Sequence, residues 1–413
     1  MTTILEKIKN IPRIDYINYL ILLYAFTLSF PSEIKRVVAI LMIILWLTDR
    51  TKYDFKLPKI DVFILFGIFI AYSLLSYFWS DVSLKEAFDY IKRYWYYLPI
   101  FIIFKYLKKE YFEYAISSFF LGMLISEILS YGNFFNLWQV GLSVDGNPTV
   151  FIHHTTYSIF LAITSVFLLF QIFHSKENMK KILYSLFFIT VTINLFVNAG
   201  RTGYFSFFIL ITLFIFYRYK LNIKMILLNF FLLSTFITLI YLTSSNFNNR
   251  IHMIKSDVST VLESKDYNTS IGARIGFWII AKEIFLENPI FGVGIAGNIK
   301  EKNHIIETEK NDNFSFVKKL EHFHNSYLEI LTQFGIVGLF LFFSIIYNLF
   351  KLKINNTSMN LLKNITIIIF LLGSFTDNLF YLNASMTFFS FIIGLTLAQY
   401  KFDTQLPITK KIR

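Results

Sequence analysis

The chain has 413 residues, of which 55% are apolar and only 16% charged, and phenylalanine alone contributes 50. Soluble domains carry roughly 25% charged residues, so this composition excludes an ordinary soluble protein and indicates a membrane protein. Cysteine is absent, which excludes a disulfide framework, a thiolate metal site and a cysteine nucleophile. The net charge is +12, and the distribution of the basic residues decides whether that charge indicates a nucleic-acid partner.

The apolar residues fall into about twelve blocks, which predict an all-α, polytopic membrane protein with about twelve transmembrane helices. We place nine helices in residues 1–243, a long loop in residues 244–326, and three helices with a cytoplasmic tail in residues 327–413. The predicted blocks are 16–30, 34–48, 61–79, 87–104, 111–131, 156–173, 182–198, 203–217, 225–243, 327–350, 361–376 and 379–400.

The basic residues indicate an orientation. With the N-terminus in the cytoplasm, 23 of the 39 Lys and Arg residues fall in the N-terminus, the even-numbered loops and the tail, and six fall in the short odd-numbered loops. This asymmetry follows the positive-inside rule, so both termini are predicted to be cytoplasmic in a multi-pass protein of the bacterial inner membrane. The rule accounts for the net charge without a nucleic-acid partner.

The loop at residues 244–326 is predicted to face the periplasm, and its ten basic residues are balanced by ten acidic ones. Loops of this length are usually functional or disordered. Residues 273–289 place Ile275, Trp278 and Leu286 on one helical face, and a glycine-rich turn follows at residues 289–298. This pattern predicts short helices that lie on the membrane surface.

Two histidines, His322 and His324, immediately precede the apolar block that begins at residue 327. The sequence Ser326-x-x-Glu329 predicts a capping box that starts a helix at about Tyr327. The positive end of the helix dipole would favour a neutral imidazole and would attract a phosphate to unpaired N–H groups. His324 is therefore a candidate general base, and the alternative interpretation is an interfacial polar residue without a catalytic role.

Three motifs occur in a fixed order along the chain: "NAGRTGYFSF" at 198–207, "GARIGFWIIAKEIFLENPIFGVGIAGN" at 272–298 and "HNSYLEILTQFGIVGLF" at 324–340. Together with the twelve-helix layout, they resemble the O-antigen ligase and polymerase family of bacterial surface-glycan enzymes. The motifs cover about sixty residues, whereas the layout covers most of the chain.

The resemblance implies a GT-C-like membrane glycosyltransferase that uses a polyprenyl-diphosphate-linked glycan as donor. The implied acceptor is a lipid A-core or a lipid-linked glycan, and no cofactor, metal or nucleotide is expected. In this interpretation His324 takes the proton from a sugar hydroxyl. Arg201 and Arg274 then hold the diphosphate through charge-assisted hydrogen bonds.

Further polar residues near the predicted outer ends of helices are candidates for contacts with substrate or membrane lipids. They are His322, Asn325, His153, His154, Lys92, Arg93 and Asp377. Each also has an ordinary interpretation, since interfacial Lys and Arg residues contact lipid headgroups and acidic residues near membrane helices pair with neighbouring helices.

Three classes of function remain open at the level of sequence. A ligase would move a finished glycan to a lipid A-core, a polymerase would extend a lipid-linked glycan with the same donor chemistry, and a transporter would move lipid or solute. We favour the ligase because of its compact outer loop and its motif pattern. Transporters favour internal repeats and broken helices, and the sequence predicts neither.

Overall fold

The computed structural model describes residues 12–49, 60–144, 147–219, 222–243, 245–309 and 312–404. Its regular secondary structure within these ranges is helical, as predicted, with one isolated bridge between Val144 and Asn147. The helices are α1 Arg13–Thr27, α2 Ser32–Leu47, α3 Asp61–Leu75, α4 Leu84–Ile91, α5 Leu98–Tyr106, α6 Phe112–Phe134, α7 His154–His174, α8 Asn178–Val197, α9 Arg201–Tyr219, α10 Ile223–Thr243, α11 Ser245–Ser264, α12 Ser270–Glu287, α13 Gly297–Glu309, α14 Ser315–Lys319, α15 Ser326–Lys351, α16 Thr357–Gly373 and α17 Asn383–Thr404.

Every predicted apolar block contains a helix, but the block at 87–104 is not the single helix that we predicted. It consists of the amphipathic helix α4, a 3₁₀ segment at Lys92–Tyr97 and the apolar helix α5. Pro99 lies in the first turn of α5, where its missing N–H and its fixed backbone angle are tolerated. The basic and aromatic 3₁₀ segment therefore separates a surface helix from a buried one.

Within the described residues, five stretches are long and apolar enough to cross a membrane: Asp61–Trp79, Lys109–Phe134, His154–His174, Asn178–Val197 and Ser326–Lys351. Together with the apolar composition, they indicate an integral membrane protein. The figure of twelve spans and the orientation of the chain stay predictions.

The core of the bundle is built around α7, which packs against α8, α9 and α16, while α17 packs against α5. Aromatic rings fill the core, and the ring centroids of Phe160 and Phe388 lie 4.4 Å apart. Thr202 at the start of α9 hydrogen-bonds Thr376 over 2.8 Å. The connection between α16 and α17 is thereby joined to the first turn of α9.

Buried lysines cap several helix ends in this fold. Lys35 donates to the carbonyls of Leu28 and Phe30 just after α1, and Lys363 donates to those of Phe350 and Leu352 at the end of α15. The ammonium satisfies carbonyl groups that have no partner inside the helix, and its charge complements the helix dipole. Lys35 and Lys363 therefore have a structural role.

Helix α15 is broken at Gly335, where φ is 62° and ψ is −161°, although the sequence predicted an unbroken helix there. The turn at residues 289–294 fills the break with backbone hydrogen bonds. Gly294 donates to the Gln333 carbonyl over 2.9 Å, and Ile336 donates to the Pro289 carbonyl over 3.0 Å. These bonds satisfy the groups that the break releases, as a membrane interior requires.

A smaller apolar core holds together much of the long segment before α15. Its fully buried members include Phe277, Val317 and Phe323, and it reaches α15 at Leu328. Helix α12 packs on this core, whereas its Trp278 and Leu286 are exposed. The exposed apolar side chains fit the predicted position at a membrane surface.

The predicted orientation can be tested with single cysteines, because the chain contains none. A cysteine in place of the exposed Glu263 of α11 should react with an impermeant thiol reagent from the periplasmic side. A matched cysteine in place of exposed Lys180, at the start of α8, should react only after the inner membrane is permeabilised. The opposite labelling pattern would invert the topology and move the candidate site to the cytoplasmic face.

Candidate active site at the start of helix α15

His324 lies between α14 and α15 with its backbone in the left-handed region, at a φ of 46°. Its Nδ1 atom lies 3.2 Å from the carboxyl oxygen Oδ1 of Asp377, in the connection between α16 and α17. The His324 side chain is 29% exposed and that of Asp377 only 9%. A substrate can therefore reach the imidazole, whereas the carboxylate lies behind it.

The carboxylate of Asp377 is held in its ionised form. Burial raises its pKa, but the hydrogen bond with His324, the charges of His324 and His322 and the backbone N–H of Asn378 outweigh that effect and lower the pKa. An ionised carboxylate only accepts, so Nδ1 of neutral His324 carries the hydrogen, and Nε2 is left to accept a proton. A histidine–carboxylate pair of this kind is able to orient a general base, as in a catalytic triad.

His322 stacks against His324 with ring centroids 4.1 Å apart. Its Nδ1 accepts a hydrogen bond from the backbone N–H of His324 over 3.1 Å. Burial, together with the smaller effect of the charge on His324, lowers the pKa of His322 to about 4. His322 is therefore neutral at physiological pH and fixes the backbone of its neighbour.

Ligand atoms of His322, His324 and Asp377 all lie within 4.8 Å of one another, so the three residues could hold a metal ion. Two observations weigh against this use. The Nδ1 atoms of both imidazoles are engaged in hydrogen bonds. The charges of Arg274, Arg93 and Lys302 also act on these groups, and like charge opposes binding of a cation.

The capping prediction at this helix is wrong. The N-cap residue is Asn325, whose side-chain oxygen accepts from the N–H groups of Tyr327 and Leu328. The Ser326 N–H donates to the Ser374 carbonyl over 2.9 Å, and the Glu329 N–H donates to the Asn325 carbonyl over 3.0 Å. Because these N–H groups have partners inside the protein, the predicted phosphate site on free helix amides is wrong as well.

Arg274 of α12 is the cation that the structure places beside His324. Both residues line a cavity of about 240 Å³, whose wall also includes Asn268 and Ser270. The Arg274 Nε donates to the Thr376 carbonyl over 3.2 Å, next to Asp377, and its Nη1 donates to the Ser270 carbonyl over 3.0 Å. Within the described residues its Nη2 has no hydrogen-bond acceptor, so one edge of the guanidinium can bind an anion.

Arg201 is the first residue of α9, and the next residue, Thr202, contacts the connection that carries Asp377. The flanking Gly200 and Gly203 do not open a space for a ligand beside Arg201. A Cβ atom would lie 2.2 Å from Ser158 Oγ at Gly200 and 2.4 Å from Ser158 Cβ at Gly203. The glycines instead allow α9 to approach α7 closely.

Lys92 and Arg93 lie on the other side of the histidines and line a second cavity of about 610 Å³. The Arg93 guanidinium stacks over the Tyr381 ring at 3.7 Å, and Tyr381 lies 5.5 Å from the His322 ring. Lys92 is exposed and paired with Asp89. A row of stacked side chains thus runs from Arg93 and Tyr381 in the second cavity, through His322, to His324 in the first.

The remaining candidates have different environments. Burial lowers the pKa of His153, the N-cap residue of α7, and the nearby Asp377 and His324 also act on it, so His153 faces the His324 pair. His154 lies against Asn147, with a 3.4 Å distance from Nδ1 to the amide nitrogen. Asn325 is 2% exposed and its amide bonds the backbone, so we assign it a role in holding the loop.

Sequence reasoning missed three contributors to this site. Tyr381 and Asn268 carry no pattern that distinguishes them from other loop residues. Glu329 was interpreted only as part of a cap, although a charged residue inside an apolar helix is itself a signal of function. Its carboxyl is buried and bonds the backbone between the two histidines.

The fold and the site define a helical integral membrane protein with a histidine–carboxylate pair and an arginine beside a cavity. Residues 186–343 match a family model described as O-antigen ligase. Over these residues, the match confirms the resemblance seen in the motifs. The matched segment includes Arg201, Arg274, His322 and His324 but ends before Asp377.

The chain is also similar to an uncharacterized protein of Haemophilus influenzae, with 25% identity over 273 residues. The alignment covers 64% of this chain and 65% of the relative, so the chain spans about two thirds of that protein's length.

Proposed function

We propose that the protein is an O-antigen ligase-like glycosyltransferase, which moves a glycan from a polyprenyl-diphosphate carrier to a lipid A-core acceptor. One observation carries the proposal. His324, whose imidazole is paired with the carboxylate of Asp377, lines the same cavity as Arg274. A sugar hydroxyl needs a positioned base, and a departing diphosphate needs fixed positive charge.

In the proposed reaction, the acceptor hydroxyl oxygen attacks the anomeric carbon of the donor sugar. Nε2 of His324 takes the hydroxyl proton as the new glycosidic bond forms. The bond between the anomeric carbon and the diphosphate oxygen breaks, and the lipid diphosphate leaves with the bonding electrons. Arg274 and Arg201 neutralise the charge that develops on this leaving group, so the step needs no metal or nucleotide.

The two cavities suit two substrates. We assign the diphosphate to the cavity of about 240 Å³ that Arg274 and His324 line. The acceptor glycan would occupy the cavity of about 610 Å³, which offers the aromatic ring of Tyr381 and charged groups of both signs. Acidic and basic side chains both form hydrogen bonds with sugar hydroxyls, and together they do not favour a strongly charged ligand. His322 and His324 would then lie where the two substrates meet.

The proposed location is the bacterial inner membrane, with both termini in the cytoplasm and the site at the periplasmic face. The positive-inside asymmetry supports this orientation. Broken helices are typical of transporters, and α15 is broken at Gly335. The expected lack of broken helices therefore no longer argues against a transporter. A transporter nevertheless ranks last among the three functions, because transport would not explain the histidine–carboxylate pair.

The alternative function is a polymerase, which would use the same donor and the same residues but a lipid-linked acceptor. A deletion strain separates the two activities. Loss of a ligase should leave full-length polymer on the lipid carrier and bare lipid A-core, and the cloned gene should restore capped core. Core that still carries a single repeat unit in the deletion strain would identify a polymerase instead.

A further inference from the structure

The carboxyl of Glu329, in the first turn of α15, is only 2% exposed and binds three donors. Its Oε1 atom accepts from the side-chain amides of Asn298, over 2.9 Å, and Gln333, over 2.8 Å. Its Oε2 atom accepts from the backbone N–H of Phe323 over 3.0 Å. A buried carboxylate with both oxygens engaged in this way ties together α13, α15 and the segment before α15.

The bond to Phe323 matters because this residue lies between the two histidines of the site. The Phe323 ring is fully buried, and its centroid lies 5.1 Å from that of Phe277. The next residue, His324, has a positive φ, which costs free energy for a side chain with a Cβ atom. The segment therefore needs anchors to keep the imidazole against Asp377, and Glu329 provides the backbone anchor.

A buried lysine holds the chain just upstream. Lys302 of α13 is fully buried, and its ammonium donates to the carbonyls of Val317, over 3.0 Å, and Leu320, over 2.5 Å. Burial lowers the pKa of Lys302 to about 8, so the group is mostly charged at pH 7. Its charge also acts on the Glu329 carboxyl, so Lys302 and Glu329 hold the segment 317–324 from both sides.

We infer that Glu329 is a positioning residue for the transfer reaction: it holds the His322–His324 segment so that the His324 imidazole stays aligned between Asp377 and the substrates. This inference rests on the proposed function, since it requires His324 to be the base. Glu329 itself need not touch the reacting atoms. A shift of about 1 Å in a catalytic group can cost about 100-fold in rate.

The test compares Glu329→Gln with the wild type in purified transfer assays. The substitution keeps the size of the side chain. The amide NH₂ of glutamine can only donate, so it would face one of the three donors without forming a hydrogen bond. We expect kcat to fall by about 10- to 100-fold, with the KM for the donor little changed and with a cooperative thermal unfolding transition retained. Glu287→Gln, at an exposed position on α12, is the matched control and should keep full activity.

A double-mutant cycle with His324→Ala distinguishes positioning from a general structural role. If Glu329 acts through His324, Glu329→Gln should cause no further loss in the His324→Ala background. Wild-type kcat in Glu329→Gln, or an equal proportional loss in both backgrounds, would overturn the inference. Should the Gln variant fail to fold, Glu329→Asp keeps the charge, withdraws the oxygens from Phe323, and enters the same cycle.

The proposed function and this inference fail in different ways. Absence of transfer by the wild-type protein, or full activity in His324→Ala, contradicts the proposed function. The inference about Glu329 can also fail alone. This is the result if the wild type is active and depends on His324, while Glu329→Gln either keeps wild-type kcat or lowers it by the same factor with and without His324→Ala.

Discussion

Replacing His324 with alanine should lower the transfer rate by about 10²- to 10⁴-fold, the usual contribution of a positioned general base. Its Nδ1 lies 3.2 Å from the carboxylate of Asp377, and its ring lines the cavity that Arg274 shares. The alanine variant keeps donor binding and membrane insertion, since neither depends on the imidazole. The measurement is transfer from a purified lipid-diphosphate donor, with donor affinity determined separately.

Two further variants serve as controls for this prediction. Asp377→Asn should also lose most activity, because an amide can present its NH₂ to Nδ1 and so favour the wrong tautomer of His324. His322→Gln should be milder, because the amide can still accept from the backbone N–H of His324. Near wild-type turnover in His324→Ala would return this histidine to the interpretation of an interfacial residue.

Replacing Arg274 with alanine should lower kcat/KM for the donor by roughly ten- to a hundredfold. Loss of a hydrogen bond to a charged group costs about 1.5–3 kcal/mol, and the guanidinium edge at Nη2 is the part that we assign to the diphosphate. Arg274→Lys should restore little, because an ammonium lacks the planar fork that binds two oxygens. The assay is the initial rate of transfer over a range of donor concentrations.

The control for Arg274 is Lys282→Ala, which removes an exposed positive charge from the same helix. It should leave the rate unchanged if Arg274 acts through direct contact, whereas equal losses in both variants would indicate bulk electrostatic attraction. Full activity in Arg274→Lys would show that a point charge is sufficient. Arg201→Ala should resemble Arg274→Ala, and an active Arg201→Ala would remove that residue from the site.

Sequence periodicity located the helices of this fold because long apolar blocks have few alternatives to helix in a membrane. It did not reveal the break at Gly335 in α15, because that break depends on backbone bonds from a turn about forty residues earlier. The division of residues 87–104 was missed for a similar reason. Apolar character continues through the block, while the 3₁₀ geometry of Lys92–Tyr97 depends on its neighbours.

The candidate site was only partly accessible from sequence. His324 and Arg274 carry motif patterns, and the structure brings them to one cavity. Asp377 was named as a residue that could touch substrate, but its pairing with His324 joins residues 53 positions apart and has no local signal. The helix-dipole argument for His324 failed because Asn325 caps the helix, and the preference of Asn for N-cap positions was the clue available in the sequence.

Transfer by purified protein in a metal chelator, from pH 5 to pH 9, tests the central claim most directly. If His324 is the base, turnover should persist without metal or nucleotide and should be lower at the acid end of this range, since a general base acts only in its unprotonated form. His322 will not produce that acid limb, because its pKa is about 4. Loss of activity in chelator, with recovery on adding a divalent metal, would contradict the account and assign His322, His324 and Asp377 to a metal site instead.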